Sequence, residues 1–376
     1  MIYLYLHIPF CVSKCSYCSF NSYPGRELLY KDYVDALKKE IASIAGVLGK
    51  NNRLTSLFIG GGTPTVLSSG LLVDLVQYTK TVFNFECGAE VSIEANPGTV
   101  NQESLEELSS CGVNRISLGV QSFDDGELVK AGRRHTAKEA ENAVRMAVES
   151  GFSNINIDLM SGLPGQTGAS WRKSLEKAVS LGPQHLSLYE LMFEPGTLMT
   201  RFKRENKFSF PDEDELEKID GITGQICAEN EFSQYEISNY ARFGFECRHN
   251  INYWLNGDYF AAGAGSVSYF NGRREKRIDS PEEYIARIRR NRTVVEESEN
   301  LSREKSFRET VIMGLRMKRG VSLSVVRERY GIEALSYYGE TLKKLLALEL
   351  LEVDKEYLRL TEKGWPLANS IMAELV

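Results

Sequence analysis

The sequence CVSKCSYC at residues 11–18 places three cysteines in a C-x3-C-x2-C pattern. This close spacing lets one short loop turn all three thiols toward a single metal centre, and thiolates favour iron–sulfur clusters or zinc. A structural zinc site takes four protein ligands, and a cubane cluster usually takes four cysteines. Phe20 stands where a fourth ligand could follow. The pattern therefore favours a cluster with one iron that lacks a protein ligand. A zinc site completed by a distant residue, or three unrelated free thiols, are the alternatives.

The residues around this loop resemble those of the radical S-adenosylmethionine (SAM) enzymes. Tyr17 precedes the third cysteine, and the sequence YLHIPF at residues 5–10 leads into the first. Within that superfamily the chain is similar to the group of the oxygen-independent coproporphyrinogen III oxidase and its relative, the heme chaperone. The resemblance implies a [4Fe-4S] cluster on Cys11, Cys15 and Cys18. It also implies that the amino and carboxylate groups of SAM chelate the unique iron.

Composition sets the broad class of the protein. The 376 residues are 42% apolar and 26% charged, which is ordinary for a globular protein with one large domain and a smaller one. A net charge of −6 argues against a general nucleic-acid binder. No apolar run approaches the ~20 residues that span a bilayer, and no signal segment opens the sequence. We therefore expect a cytoplasmic protein without disulfides, and peripheral contact with a membrane stays open.

Strand and helix patterns alternate along the first two-thirds of the chain. The predicted strands are 2–7, 56–59, 89–94, 115–120, 154–159 and 184–189, and the predicted helices are 30–48, 70–83, 103–110, 137–150, 169–180 and 213–229. Six βα units predict an α/β fold, with a parallel sheet curled as a partial (β/α)6 TIM-like barrel. Chemistry in such folds collects at the carboxyl ends of the strands. We assign residues 1–235 to this core, 236–300 to a connecting region and 301–376 to a carboxyl-terminal domain.

A glycine-rich turn, GGGTP at residues 60–64, follows the second predicted strand. Glycines let a backbone approach a ligand closely, although a simple tight turn would look the same. The turn resembles the G-G-T-P element of the family. That resemblance implies that Gly61, Gly62 and Thr63 contact the methionine portion of SAM.

Polar residues end the next three strands. The resemblance implies that Glu94 binds the methionyl amino group, that Gln121 and Asp158 reach the ribose, and that Arg133 neutralises the carboxylate, with Arg134 as its rival. An Asp inside an apolar strand is costly without a partner, so a purely structural pairing of Asp158 is the alternative.

Three further residues are assigned to the cofactor by resemblance. Tyr17 suits a contact with adenine, because an aromatic ring beside the cluster can lie against the base. Tyr5 and Met192 match the positions that flank the cofactor. For Met192 a plain role in the hydrophobic core is the alternative.

The second informative stretch is HNINYW at residues 249–254. A histidine beside aromatic residues is more often an interior residue than a ligand. The stretch resembles the H-N-x-x-Y-W signature of the heme-chaperone branch, which is associated with heme binding. His249 is thus the leading candidate for an axial heme ligand. Cys247 is the alternative ligand.

The last 76 residues change character. Predicted helices at 301–317, 322–330 and 334–348 precede a hairpin of 350–353 and 357–360, which suggests an α+β winged-helix-like domain. DNA binding is one reading. Its 13 Lys/Arg against 11 Asp/Glu make a poor footprint for phosphate. Similarity to the family's carboxyl-terminal domain favours a lid over the barrel mouth or a surface that docks an acceptor.

Two functions compete. The first is a heme chaperone that binds the cluster, SAM and heme and passes heme to an unidentified acceptor protein. The alternative is the oxidase of porphyrin biosynthesis, which uses a 5′-deoxyadenosyl radical on coproporphyrinogen propionates. The oxidase pattern continues C-x3-C-x2-C-x-C and follows a long amino-terminal extension, whereas this sequence has Phe20 and opens close to Cys11. DNA-binding regulation ranks third. The resemblance permits a homodimer, and covalent attachment of heme and cleavage of SAM stay open.

Overall fold

Six parallel strands alternate with helices through the first part of the chain. The computed structural model describes residues 2–49 and 53–376. The strands are β1 Ile2–Ile8, β2 Arg53–Gly61, β3 Asn84–Ala95, β4 Arg115–Gln121, β5 Ile155–Ser161 and β6 His185–Glu190. The helices among and after them are α1 Tyr30–Leu48, α2 Ser69–Val82, α3 Gln102–Ser110, α4 Asp125–Ala131, α5 Ala137–Glu149, α6 Gly168–Ser180, α7 Leu198–Arg204 and α8 Glu213–Glu229. The predicted α/β fold with six βα units is confirmed.

The sequence pattern does not predict two of these helices, α4 and α7. Each has seven residues, which is too short to show a clear 3.6-residue period. Helix α4 begins after its cap Asp124, whose side chain accepts from the Glu127 amide, and ends at Gly132 in the left-handed conformation. Both helices turn out to support the functional site.

The parallel strands belong to a larger open sheet. It also contains β7 Ser233–Gln234, β8 Asn239–Ala241 and β9 Phe260–Ala262, in the order β9-β1-β2-β3-β4-β5-β6-β8-β7. Strand β9 is parallel to β1, whereas β8 is antiparallel to β6. The core is therefore a partial barrel, extended at both edges by short strands that follow the six βα units in sequence.

Alternate residues of each strand face the helices and the barrel interior. Along β3, Val91 and Ile93 join the main hydrophobic core, whereas Glu94 lines the interior cavity. The register pairs Glu94 with Ser117 on β4, and Ser117 pairs with Asn156 on β5. Polar side chains of neighbouring strands thus meet inside the barrel at matching heights.

The connecting region adds a short helix, a three-stranded antiparallel sheet and another helix. Its elements are α9 Arg248–Trp254, β10 Val267–Phe270, β11 Arg273–Arg277, α10 Pro281–Arg289 and β12 Val295–Asn300. Buried Glu40 of α1 joins this region to the barrel. It pairs with Arg277 at 3.0 Å and accepts from the Tyr284 hydroxyl at 2.7 Å.

The carboxyl-terminal unit confirms the winged-helix-like prediction. It consists of α11 Arg303–Leu315, β13 Val321–Ser322, α12 Leu323–Tyr330, α13 Ala334–Ala347, β14 Leu351–Val353, β15 Tyr357–Leu360 and α14 Ala368–Glu374. Its hydrophobic core is separate from that of the barrel and includes Phe307, Leu342 and Leu358. The exact boundaries after residues 235 and 300 stay predictions. Within the described residues, no helix combines the length and apolar character needed to cross a bilayer.

Candidate functional site

One cavity of about 580 Å³ lies inside the barrel, between the cysteine loop and the carboxyl ends of the strands. Every residue predicted for the site lines it: Tyr5, Cys11, Cys15, Tyr17, Cys18, Gly61, Gly62, Thr63, Glu94, Gln121, Arg133, Asp158, Met192 and His249. The structure thus brings together residues that are more than 200 positions apart in sequence. Their individual roles stay predictions.

The cysteine loop is held from both sides by the two unpredicted helices. The Ser16 amide donates to the Ala131 carbonyl at 3.1 Å, at the end of α4. The Ser16 carbonyl accepts from the Met199 amide at 2.7 Å, at the start of α7. Within the loop, the Cys18 amide donates to the Cys15 carbonyl at 3.2 Å and closes a turn. These backbone hydrogen bonds therefore hold the loop that carries the three cysteines.

The thiols face the cavity in a partly desolvated setting. Burial raises the pKa of Cys11, although the Thr63 hydroxyl, 3.6 Å from its Sγ, acts in the opposite direction. Burial also raises the pKa of Cys18. Metal binding must displace these protons, so it becomes more favourable as pH rises. Within residues 2–49 and 53–376, no three His, Cys, Asp or Glu side chains form a group suited to a single metal ion.

The glycine-rich turn packs directly against the cysteine loop. The Gly62 amide donates to the Ile8 carbonyl at 2.9 Å, and the Thr63 amide to the Phe10 carbonyl at 2.8 Å. A Cβ at Gly62 would lie 2.5 Å from the Phe10 carbonyl oxygen and 3.0 Å from Cys11 Sγ. Glycine is needed there for this close approach, whatever the turn binds.

Two carboxyl groups lie within the barrel below this turn. Glu94 Oε2 accepts from the Gly61 amide at 3.0 Å. Burial, reinforced by the negative charge of Asp158, raises the pKa of Glu94 to about 7. Burial also raises the pKa of Asp158, which accepts from Ser117 at 3.1 Å and from Asn156 at 2.7 Å. Asp158 therefore has hydrogen-bond partners, as expected of a purely structural residue, and it also faces the cavity.

Gln121 is held in an unusual backbone conformation. Its φ of 70° lies in the left-handed region, next to a register shift between β4 and β5. Its side-chain oxygen is shielded from solvent and has no hydrogen-bond partner among the described residues. Such an acceptor at a cavity wall suits a hydroxyl or amino donor of a bound ligand.

Arg133 reaches the cysteine loop and Arg134 does not. Its guanidinium donates to Cys15 Sγ at 3.4 Å, to Asn96 Oδ1 at 2.6 Å and to the Gly119 carbonyl. Arg134 is exposed and does not line the cavity. The geometry therefore favours Arg133 over Arg134 as the residue that faces a bound carboxylate.

The three residues assigned beside the cofactor have different settings. The Tyr5 hydroxyl bonds His7 Nδ1 at 3.0 Å. Tyr17 packs on a small apolar cluster that includes Met160 and Met199. Met192 is 64% exposed at the cavity rim, so a role in the hydrophobic core is wrong.

His249 is buried with both ring nitrogens engaged. Nδ1 bonds the Ser56 hydroxyl at 2.9 Å and Nε2 bonds the Tyr253 hydroxyl at 2.9 Å. Burial, followed by the positive charge of Arg115, lowers the pKa of His249 to about 3, so the ring is neutral at physiological pH. Cys247 is fully buried, bonds Glu90 and does not line the cavity. For His249 to bind iron, one of its ring nitrogens must first lose its hydrogen bond to the Ser56 or Tyr253 hydroxyl.

Sequence reasoning missed several polar residues of the cavity, including Asn96, Arg115, Asn156 and Asn250. The alternation of Arg115, Ser117 and Gly119 along an apolar strand was an available signal, because every second residue faces inward. The lid expectation for the carboxyl-terminal unit is wrong, because none of the cavity lining comes from residues 301–376. That unit instead contacts the connecting region, where Asn256 donates to Thr310 at 3.0 Å.

Comparison with known proteins places this geometry in a family. The model of the radical SAM superfamily matches residues 5–178, and that of the HemN C-terminal domain matches residues 301–367. The heme chaperone HemW of Bacillus subtilis (strain 168) is 35% identical over 368 residues, which cover 98% of this chain and 97% of the relative. The chain belongs to the HemW family of radical SAM proteins.

Other relatives agree with this assignment. The heme chaperone HemW of Lactococcus lactis is 34% identical over 372 residues, covering 99% of this chain and 96% of the relative. Among solved structures, the coproporphyrinogen III oxidase HemN from Escherichia coli aligns with a TM-score of 0.86 at 25% identity, covering 100% of this chain and 89% of that chain. The HemW-family chain thus shares its fold with a radical SAM enzyme over its full length.

The pKa of Glu94 predicts a pH-dependent stability of the cluster-free protein. Folding raises this pKa from 4.5 to about 7, so folding favours the protonated carboxyl. The associated stability is fully present below pH 4.5 and is lost as pH rises through 7. Between pH 4.5 and 8, the unfolding free energy of the wild type should therefore fall by about 3 kcal/mol relative to Glu94→Gln. Urea denaturation across this range measures the difference. Glu106→Gln, at an exposed position on α3, is the control, and an equal pH response in both variants would contradict the assignment.

Proposed function

We propose that this HemW-family protein is a heme chaperone that binds a [4Fe-4S] cluster, SAM and heme, and transfers the heme to an acceptor protein. The observation that carries the proposal is similarity to proteins named heme chaperones over 98% of the chain. The cavity supports it, because the three cysteines and the cofactor candidates line one space.

The residues present fit the cluster and SAM. Cys11, Cys15 and Cys18 offer three soft thiolates, and no fourth cysteine lines the cavity within the described residues. When bound, the cluster supplies a redox centre with an iron site open to SAM. Arg133, next to Cys15, is placed to hold a carboxylate. The unpartnered oxygen of Gln121 is placed to accept from a ribose hydroxyl.

Glu94 has the chemistry for the methionyl amino group. Its carboxyl already accepts one backbone amide from the glycine-rich turn, so its position is fixed before a ligand arrives. A positive charge nearby, such as the sulfonium of SAM, would favour the ionised carboxylate, in the opposite direction to burial. In this proposal, ligand binding therefore shifts Glu94, whose pKa is about 7, toward its ionised form at neutral pH.

The oxidase is the second candidate, because the fold matches the coproporphyrinogen III oxidase HemN so closely. The sequence of the cysteine loop distinguishes the proposed chaperone from the oxidase. Phe20, 65% exposed at the cavity rim, occupies the position of the additional cysteine in the oxidase pattern. A phenyl ring supplies neither a metal ligand nor a proton donor there.

The first test offers the reconstituted protein two substrates anaerobically, with SAM and a reductant. We expect tight heme binding and transfer to an apo-hemoprotein, with no formation of protoporphyrinogen from coproporphyrinogen III. Absorption spectra follow the heme, and chromatography with mass detection follows decarboxylation. Catalytic decarboxylation would replace the chaperone proposal with the oxidase. Protein that binds no heme would refute the chaperone function.

Cys15→Ala should abolish assembly of a full cluster, because two thiols remain where three are needed. Loss of the brown absorbance and of bound iron measures this effect. Circular dichroism should stay unchanged, because backbone bonds to Ala131 and Met199 hold the loop. Cys111→Ala, at the end of α3 away from the cavity, serves as the matched control. A variant that retains a complete cluster would disprove the ligand assignment.

His249→Ala should weaken heme binding and shift the Soret band if Nε2 is the axial ligand. Tyr253→Phe removes the hydroxyl that occupies Nε2, so it should bind heme at least as tightly as the wild type. His135→Ala tests for nonspecific damage, because His135 is also buried but lies outside the cavity lining. Unchanged spectra and affinity in His249→Ala would move the ligand elsewhere, with Cys247 as the next candidate.

A further inference from the structure

Arg115 is a buried cation at the base of the cavity. It is the first residue of β4, is 2% exposed and lines the cavity wall. Among the described residues, its Nε has no hydrogen-bond partner, and no carboxylate forms an ion pair with its guanidinium. A buried N–H donor without an acceptor is costly, and the Nε of Arg115 is such a donor among the described residues. A ligand oxygen would remove that cost.

The carboxyl groups that act on the charge of Arg115 do not accept its hydrogen bonds. Glu90 and Asp158 act on it electrostatically. The oxygens of Glu90 accept instead from the backbone amides of residues 248 and 249, at 2.9 and 3.2 Å. Asp158 accepts from Ser117 and Asn156. The donors of Arg115 therefore remain available to a ligand.

Asn250 offers a second set of unused polar atoms to the same cavity. Its side chain lines the wall and has no hydrogen-bond partner within the part of the chain that the structure describes. A planar guanidinium fork matches a carboxylate in two parallel hydrogen bonds, and an amide can add a third. The aromatic rings of Tyr5, Phe58 and Tyr253 also line this cavity. This combination suits a carboxylate attached to a large apolar group.

The sheet register separates this position from the SAM-binding candidates. Arg115 pairs with Ser92, one inward-facing position before Glu94 on the same strand, whereas Glu94 pairs with Ser117. Arg133 is beside the cysteine loop. The two cavity arginines thus lie at different depths, and SAM has only one carboxylate to offer. A ligand carboxylate bound at Arg115 would therefore come from a molecule other than SAM.

We propose that Arg115 and Asn250 form a lower subsite that binds a propionate carboxylate of heme. The assignment rests on the proposed heme-binding function. Arg115 and Asn250 act by direct hydrogen bonding to the carboxylate, while the aromatic residues contact the apolar part of the macrocycle. His249 lies beside Asn250 and lines the same cavity, so it borders this subsite.

The test compares heme with heme dimethyl ester, in which both carboxylates are blocked. Wild-type protein should bind heme at least tenfold more tightly than the ester. In Arg115→Met this preference should disappear, and heme affinity should fall about tenfold to a hundredfold. Arg115→Lys should retain part of the preference for heme, because lysine keeps the positive charge but not the planar guanidinium. SAM affinity should fall by less than heme affinity, because Arg115 acts on Glu94 and Asp158 only through its charge.

The outcomes separate the subsite from the function. Heme binding by the wild type with unchanged affinity and preference in Arg115→Met would overturn the subsite alone. An equal loss of SAM and heme affinity would assign Arg115 to the nucleoside instead and would also overturn it. Wild-type protein that binds no heme would refute both proposals. Should Arg115→Met fail to fold, Asn250→Ala decides, because its side chain supports no other residue. Its preference for heme over the ester should fall about threefold to tenfold, and an unchanged preference would refute the subsite.

Discussion

The close approach of the glycine-rich turn to the cysteine loop is the constraint on which the rest of the site depends. Two backbone hydrogen bonds, from Gly62 to Ile8 and from Thr63 to Phe10, join the end of β2 to the segment that carries the cysteines. They leave no room for a side chain at Gly62. The loop is then fixed on its other side by α4 and α7 through Ser16. Because backbone groups supply these contacts, the fold sets the position of the loop that carries the three cysteines.

The charges of the cavity are arranged at distinct heights. Arg133 lies beside Cys15 and Glu94 lies below the glycine-rich turn, whereas Arg115 lies one inward-facing position before Glu94 in the sheet register. Burial raises the pKa of Glu94 to about 7, so this carboxyl can be neutral when the cavity is empty of cations and charged when a cation enters. The barrel thereby avoids holding several uncompensated anions in a water-poor space. The same desolvation makes each remaining polar contact worth more to a ligand than it would be at the surface.

Most of the fold follows from periodicity that is visible in the sequence. Helix α1 begins and ends at the predicted residues, because a regular apolar stripe over 19 positions is unambiguous. Helices α4 and α7 escape prediction because seven residues do not establish a period. The site residues were found because they end apolar strands or stand in a recognisable motif. Arg115 was missed because it opens its strand, although its alternation with Ser117 and Gly119 indicates that it faces inward with them. The exposure of Met192 and the position of the carboxyl-terminal unit depend on long-range packing, which local sequence patterns do not show.

Helix α9 connects the barrel interior to the carboxyl-terminal unit. Its His249 bonds Ser56 of β2 and Tyr253, while Tyr253 and Trp254 also border a cleft formed with Ile312 and Met313 of α11. Arg316 lies 4.4 Å from the Trp254 ring, which fixes the outer face of the helix. A ligand that takes Nε2 of His249 must displace the Tyr253 hydroxyl, and the Tyr253 ring is shared by the two cavities. Tyr253 therefore links the barrel cavity to the surface where α9 meets α11, which gives the carboxyl-terminal unit a physical connection to the site although residues 301–376 contribute nothing to the cavity wall.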